Sequence, residues 1–169
     1  PGLGNGTYNF DVVYANDTKY SADSQKVSVI VSKITPEFTV SVSDINVGDD
    51  LIVDVFGLPS DAKGLVTVEI YGISNCSDVI NGMATIIVPQ RLPNGTYTVT
   101  ITYSGDDRYN MVKSDENVSV NKLSVEMRVI VDNIDVGKNL TIQIELPSNI
   151  TGEFAYISIN GTEISSSQL

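Results

Sequence analysis

The stretch Asn94–Tyr103, NGTYTVTITY, decides how the rest of the chain is read. Tyr97, Val99, Ile101 and Tyr103 fall on one side of an extended backbone, and Thr96, Thr98, Thr100 and Thr102 on the other. Successive strand residues point to opposite faces, so this predicts a half-buried antiparallel strand with one wet face. An earlier copy, NGTYNFDVVY, stands at Asn5–Tyr14, an offset of 89 residues from position 5 to position 94. It places Tyr8, Phe10, Val12 and Tyr14 inward. Tyr20 maps onto Tyr109, Val29 onto Val118, Val31 onto Val120 and Lys33 onto Lys122 with the same step. SDINVGDDLIVDV at Ser43–Val55 returns as DNIDVGKNLTIQI at Asp132–Ile144, with Gly48 matching Gly137. Self-similarity at a fixed period defines the structural unit before anything else does. The expected division is 1–33 (the last two strands of a unit), 34–122 (a complete unit) and 123–169 (the first strands of a further one).

The net charge is −11 and the isoelectric point about 4.2. Phosphate binding needs basic patches, so this balance argues against a nucleic-acid partner, and equally against adsorption to anionic lipid. The acidity is spread out: residues 34–122 carry 12 acidic and 5 basic side chains. There is no histidine, which removes the commonest general base and metal ligand. The single cysteine, Cys76, has no internal partner for a disulfide. No stretch reads as a signal peptide or membrane span, which in a chain that opens in mid-repeat says nothing of the parent protein.

Period 2 governs the complete unit. Phe38, Val40 and Val42 form a first strand, matched by Met127, Val129 and Val131. Leu51, Val53 and Val55 form a second, matched by Leu140, Ile142 and Ile144. Val66, Val68 and Ile70 form a third, matched by Ala155, Ile157 and Ile159. A weak segment near 73–79 precedes strands at Ala84–Val88, 96–103 and Asn117–Asn121. Turn chemistry marks the joins, as at Val47-Gly48-Asp49, Asn81-Gly82 and Ser104-Gly105-Asp106. Six or seven short strands in such a unit predict an all-β fold of tandem immunoglobulin-like antiparallel β-sandwiches. Leu92-Pro93-Asn94-Gly95-Thr96-Tyr97 adds a tyrosine at the start of the sixth strand after a tight turn, the position of a tyrosine corner. Tyr97 is expected to be buried, its hydroxyl bonded to backbone just upstream, and Tyr8 is its structural counterpart in the earlier copy.

LPNGTYTVTITYSGDDRYN, preceded by INVGDDLIVDV, resembles the immunoglobulin-like repeats of large adhesin-like cell-surface proteins, abundant in methanogenic archaea and present in bacteria. The resemblance implies an extracellular, cell-surface stalk module of a filament-like array. It brings over no catalytic residue and implies no cofactor.

The sequon Asn-x-Ser/Thr occurs at Asn5, Asn16, Asn75, Asn94, Asn117, Asn139, Asn149 and Asn160. With 14 asparagines and 31 serines and threonines among 169 residues, chance gives about 2.6 sites. Asn-Gly turns followed by a β-branched residue explain Asn5, Asn94 and Asn160; the other five still exceed chance, and N-linked glycans are expected on loop sequons such as Asn16, Asn75 or Asn149. Asn117 must face outward, opposite Val118.

Weaker constellations are read structurally. Calcium needs six to eight oxygens, which neither Asp49-Asp50 nor Asp106-Asp107 supplies, so both pairs read as solvated loops and no metal site is expected. Asp54 and Glu69 could be imagined as a glycosidase pair, but no pocket is argued for them; Lys33 and Lys122 could be partners in lysine–asparagine crosslinks, but the assisting acid is not identifiable. The chain is therefore expected not to be an enzyme. A stalk segment is favoured over a carbohydrate- or protein-binding module, because the outward aromatics expected in the complete unit, Phe56, Tyr71 and Tyr109, do not form a row. Residues 1–33 and 123–169 each leave an apolar face that other strands must cover. Those strands come from neighbouring repeats of the same protein, or from a neighbouring subunit by strand complementation.

Overall fold

The computed structural model is all-β. It describes residues 2–89, 91–150 and 154–168. Thr151 of the Asn149 sequon, and the side chain of Ala155, lie outside what is described. The chain divides into two compact units, 1–122 and 123–169.

The first unit opens with a hairpin of β1 (Gly6–Tyr14) and β2 (Asp23–Val31). There follow β3 (Thr39–Val42), β4 (Ile45–Asn46), β5 (Leu51–Phe56), β6 (Leu65–Ile70), β7 (Ile73–Asp78), β8 (Ala84–Val88), β9 (Gly95–Tyr103) and β10 (Val112–Asn121). They make a three-stranded sheet, β3-β5-β8, and a five-stranded sheet, β4-β10-β9-β6-β7. The two sheets share one core. Leu51, Val53 and Val55 of β5 and Ile86 and Val88 of β8 belong to the same buried cluster as Val66 and Val68 of β6, Val99, Ile101 and Tyr103 of β9, and Val118 and Val120 of β10. These are the positions that strict alternation assigns inward. Each large aliphatic side chain buried there contributes roughly 1.5–3 kcal/mol.

Several elements differ from expectation. β7 pairs along all of β6, from Leu65↔Asp78 to Ile70↔Ile73, where only weak pairing was expected. The cause is the two-residue turn Tyr71-Gly72, whose φ values of 49° and 74° match the twist of the flanking strands. β10 begins at Val112 rather than Asn117; its first half carries Lys113 and Asp115, which conceal the alternation, yet pairs with Thr102 and Thr100. β4 was not foreseen: the chain leaves the first sheet after β3, and Ile45–Asn46 pairs parallel with Val120–Asn121. Tyr109, expected outward, is buried at 5% exposure, whereas Phe56 and Tyr71 do remain exposed.

The β1–β2 hairpin repeats the β9–β10 register pair for pair: Gly6↔Val31 answers Gly95↔Val120, and Tyr8↔Val29 answers Tyr97↔Val118. Its apolar face is open, as expected of residues that cannot cover that face by themselves. Phe10, Val12 and Tyr14 are exposed, and Tyr8 is half-buried. Pairing satisfies only the inner edge of each strand, and a two-stranded ribbon has no second sheet to cover its face.

In the second unit β11 (Arg128–Val131) pairs with β12 (Ile142–Glu145), and β13 (Phe154–Ile159) with β14 (Thr162–Gln168). Arg128↔Glu145 repeats the register of Thr39↔Phe56. A bulge at Ile157/Ser158 shifts the β13–β14 pairing. Leu140, expected in the second strand, precedes β12 and is exposed.

Candidate functional site

A dense polar cluster among the described residues of the first unit forms where β9 turns into β10. Gly105-Asp106 starts a tight loop closed by the Asp106 N–H on the Tyr109 carbonyl, at 3.0 Å. Asp106 Oδ1 accepts from the N–H groups of Arg108 (2.7 Å) and Tyr109 (2.8 Å), an aspartate organising the backbone after it. Oδ2 accepts from the Lys63 N–H at 2.8 Å and the Tyr103 hydroxyl at 3.2 Å. The same hydroxyl donates to the Lys63 carbonyl at 2.7 Å, so the loop is fastened to the β5–β6 connection. Asp106 is therefore an organising group and not the solvated loop residue expected. Burial pushes its carboxyl pKa up, but the three N–H donors and the Tyr103 hydroxyl outweigh that and leave it below the ordinary value.

Around this loop, Tyr109 donates its hydroxyl to Asp61 Oδ1 at 2.7 Å, and the Arg108 guanidinium pairs with Asp61 while lying 5.6 Å from the Tyr109 ring centre. The Tyr109 bond, helped by Arg108, holds the Asp61 carboxyl below its usual value. Burial, with Asp106 nearby, pushes the Tyr103 phenol up to about 12.

Into this loop the preceding linker is clipped. Lys33 Nζ donates to the Asp106 carbonyl at 2.6 Å. The Ile34 N–H donates to the Arg108 carbonyl and the Asn110 N–H to the Ile34 carbonyl, both at 2.8 Å, a one-residue parallel bridge. Asn110 Nδ2 donates to Thr35 Oγ1 at 2.9 Å. The Lys33 ammonium is thus committed to a main-chain carbonyl, not to the asparagine that a crosslink would need.

The hairpin carries the same loop. Asp17 Oδ1 accepts from the N–H groups of Lys19 and Tyr20, both at 2.7 Å, and Oδ2 from the Tyr14 hydroxyl at 2.6 Å. The Asp17 N–H donates to the Tyr20 carbonyl, and Lys19 Nζ lies 5.1 Å from the Tyr20 ring centre. Each partner is the counterpart of one in the Asp106 loop, 89 positions earlier. The signal that would have revealed it is Tyr-x-x-Asp-x-Lys/Arg-Tyr, at 14–20 and again at 103–109.

Both tyrosines of the Asn-Gly-Thr-Tyr turn do bond upstream: Tyr97 to the Pro93 carbonyl at 2.8 Å, Tyr8 to the Gly4 carbonyl at 3.0 Å. Tyr97 is half-buried rather than buried, with Tyr71 set edge-on against it, ring centroids 5.3 Å apart.

All eight sequon asparagines are exposed. Asn5 and Asn94 precede β1 and β9, Asn16 lies between β1 and β2, Asn139 and Asn149 lie in loops, and Asn160 occupies a turn with φ of 50°. Asn117 sits on β10 facing out, where its Oδ1 accepts from Thr98 across the strand pair. Asn75 is not in a loop as expected. It lies on β7, and its Nδ2 donates to the Ile87 carbonyl of β8 at 2.7 Å, joining the edges of the two sheets.

Asp54 and Glu69 face outward from different sheets, so they do not flank a common space. Asp54 instead accepts from Thr85 across β5–β8. Asp49 Oδ2 accepts from the Asn46 N–H and stabilises its own turn. Among the described residues no group of acidic or thiol side chains is placed to hold a metal ion. No family model matches the sequence, and no curated protein matches it.

Proposed function

We propose that this chain is a stalk segment of a glycosylated, extracellular, adhesin-like surface protein, built from tandem immunoglobulin-like sandwiches with a mechanical rather than catalytic role. The observation that carries the reading is the recurrence of pairing register and loop chemistry at one offset of 89 residues, in β1–β2 against β9–β10 and in the Asp17 against the Asp106 loop. Strand orders β3-β5-β8 and β4-β10-β9-β6-β7, with the first strand split between sheets, support the immunoglobulin-like assignment. In such an array the open faces of residues 1–33 and 123–169 are covered by strands of adjoining units. The clipped linker supports a stalk as well, since it fixes how one unit is joined to the next. A carbohydrate-binding face is less well supported: exposed Phe56 and Tyr71 sit on different sheets, and Tyr109 is in the core.

The exposed sequons support sugar attachment from an activated sugar-phosphate donor. Asn Nδ2 bonds to the anomeric carbon, the bond from that carbon to the phosphate oxygen breaks, and the amide gives up one proton. Glycopeptide mapping of natively sourced protein tests this. Sugar is expected at Asn16 and Asn149, and a bare polypeptide mass for the whole segment overturns the glycosylated reading.

A further inference from the structure

Two sequon asparagines of the complete unit lie on strands, Asn75 on β7 and Asn117 on β10. Residues two apart on a strand share a face, so each asparagine points the same way as the serine of its own sequon. On β10, Asn117 and Ser119 pair with Thr98 and Thr96 of β9, while the alternate positions Val118 and Val120 are buried. That sequon therefore stands on the outer face of the five-stranded sheet. Asn117 Oδ1 accepts from Thr98, and its Nδ2 has no partner among the described residues. On β7 the phase is opposite. Asn75 and Ser77 pair with Val68 and Val66 of β6, both fully buried, so this sequon is on the face turned toward the other sheet.

The Asn75 amide is committed at both ends. Nδ2 donates to the Ile87 carbonyl at 2.7 Å, and Oδ1 accepts from the Cys76 N–H at 3.0 Å. β7 is the last strand of the five-stranded sheet and β8 the last of the three-stranded one. An edge strand leaves a row of backbone groups without a strand partner. The Asn75 side chain supplies a donor to one of them. It ties the two edges together at the rim of the sandwich, where solvent still reaches the residue.

We propose that strand phase sorts these two sequons: Asn117 carries sugar in the folded unit, and Asn75 does not, because its amide is the clasp between the sheets. This rests on the glycosylated reading above and deepens it. Transfer from an activated sugar-phosphate joins the anomeric carbon to Nδ2, breaks the bond from that carbon to the phosphate oxygen and removes one amide proton. At Asn117 the Oδ1 bond to Thr98 survives the transfer, and the sugar leaves from a nitrogen on the open face. At Asn75 the sugar is joined to the nitrogen that holds Ile87, and its first ring has to stand where the β7 and β8 edges meet. Ser77, the other half of the motif, faces the same seam and is half-buried. Sugar and clasp therefore compete for one atom, and a chain that has closed the seam resists modification there.

Two measurements on the whole chain test it. In the first, the chain is secreted from cultured cells that attach N-linked sugar, so the result does not depend on what the natural source attaches. Glycopeptide mapping of the folded fraction should find Asn117 occupied and Asn75 occupied about tenfold less often or not at all. The second uses unglycosylated chain. Asn75→Ala and Ser77→Ala both abolish the sequon, and only the first removes the clasp. Asn75→Ala should lower the folding equilibrium constant about fivefold, the loss expected of one hydrogen bond, while Ser77→Ala changes it less than about twofold. Sugar on Asn75 as often as on Asn117, a bare Asn117, or equal stability of the two variants overturns the proposal. A bare natural protein overturns the glycosylated reading and leaves this sorting standing, whereas sugar on Asn75 of the folded chain does the reverse.

Discussion

Tyr14 donates its hydroxyl to Asp17 at 2.6 Å on an open hairpin, the relation Tyr103 has to Asp106 at the rim of a closed sandwich. The same local bond therefore forms with and without a core beneath it. The loop is specified by its own residues, and the sandwich adds the Lys63 contacts.

The pH dependence of stability follows from these groups. Asp61 and Asp106 have folded pKa values below the ordinary value, so their contribution is complete above the unfolded carboxylate pKa of about 4 and lost as pH falls through the folded value. Tyr103 is shifted the other way, to about 12. Its contribution is intact below the unfolded phenol value of about 10 and falls away as pH rises from there toward the folded one. Urea midpoints measured at stepped pH should be flat near neutrality, fall on the acid side below about pH 4, and fall again above about pH 10. Tyr103→Phe should remove most of the alkaline fall.

Tyr97→Phe removes a hydroxyl from a half-buried bond to the Pro93 carbonyl, where water reaches the abandoned acceptor. A loss of about 0.5–1 kcal/mol is expected. Tyr103→Phe strips the Lys63 carbonyl and Asp106 of a fully buried partner and should cost about 1–3 kcal/mol. Chemical denaturation of both variants tests the order; an equal loss would mean that burial does not distinguish the two phenols.

Tyr71 holds φ of 49° in a turn where the second unit has Asn160 at 50°. Asparagine tolerates that region, while a bulky side chain pays for it. Tyr71→Asn and Tyr71→Ala both lose the edge contact with Tyr97, yet only asparagine relieves the backbone. The asparagine variant should be the more stable of the two by about 1 kcal/mol, read from paired unfolding midpoints.

Gly82 has φ of 78°, and a Cβ there would fall 2.1 Å from the Leu58 carbonyl oxygen. Gly82→Ala should cost about 3 kcal/mol or more, because strain and a backbone clash add. Gly48→Ala, with a positive φ but open space around it, should cost less. Thermal unfolding of the two variants makes the comparison.

What could be read from residues alone was the alternation. Leu51–Val55, Val66–Ile70, Ala84–Val88 and Val99–Tyr103 face inward as the pattern requires, because one face of each lies against the other sheet. β4 escaped because two residues carry no period, and the start of β10 because Lys113 and Asp115 look like loop. Asp106 was misjudged since a carboxylate that organises backbone N–H groups has the same composition as one that faces water. The open face of Tyr8–Tyr14 was legible from strand count, since alternation marks the apolar side and two strands cannot cover it.

The short β4 has a mechanical consequence. It lies near the start of the complete unit and runs parallel to the last residues of β10, Ile45–Asn46 beside Val120–Asn121, with the Val47 N–H also on the Asn121 carbonyl. When a tether is stretched from both ends, parallel terminal strands slide lengthwise past each other, and their hydrogen bonds share the load instead of opening one by one. A few well-placed bonds then act as a shear pin. In the stalk role proposed above, the unit is expected to yield abruptly once these bonds fail together.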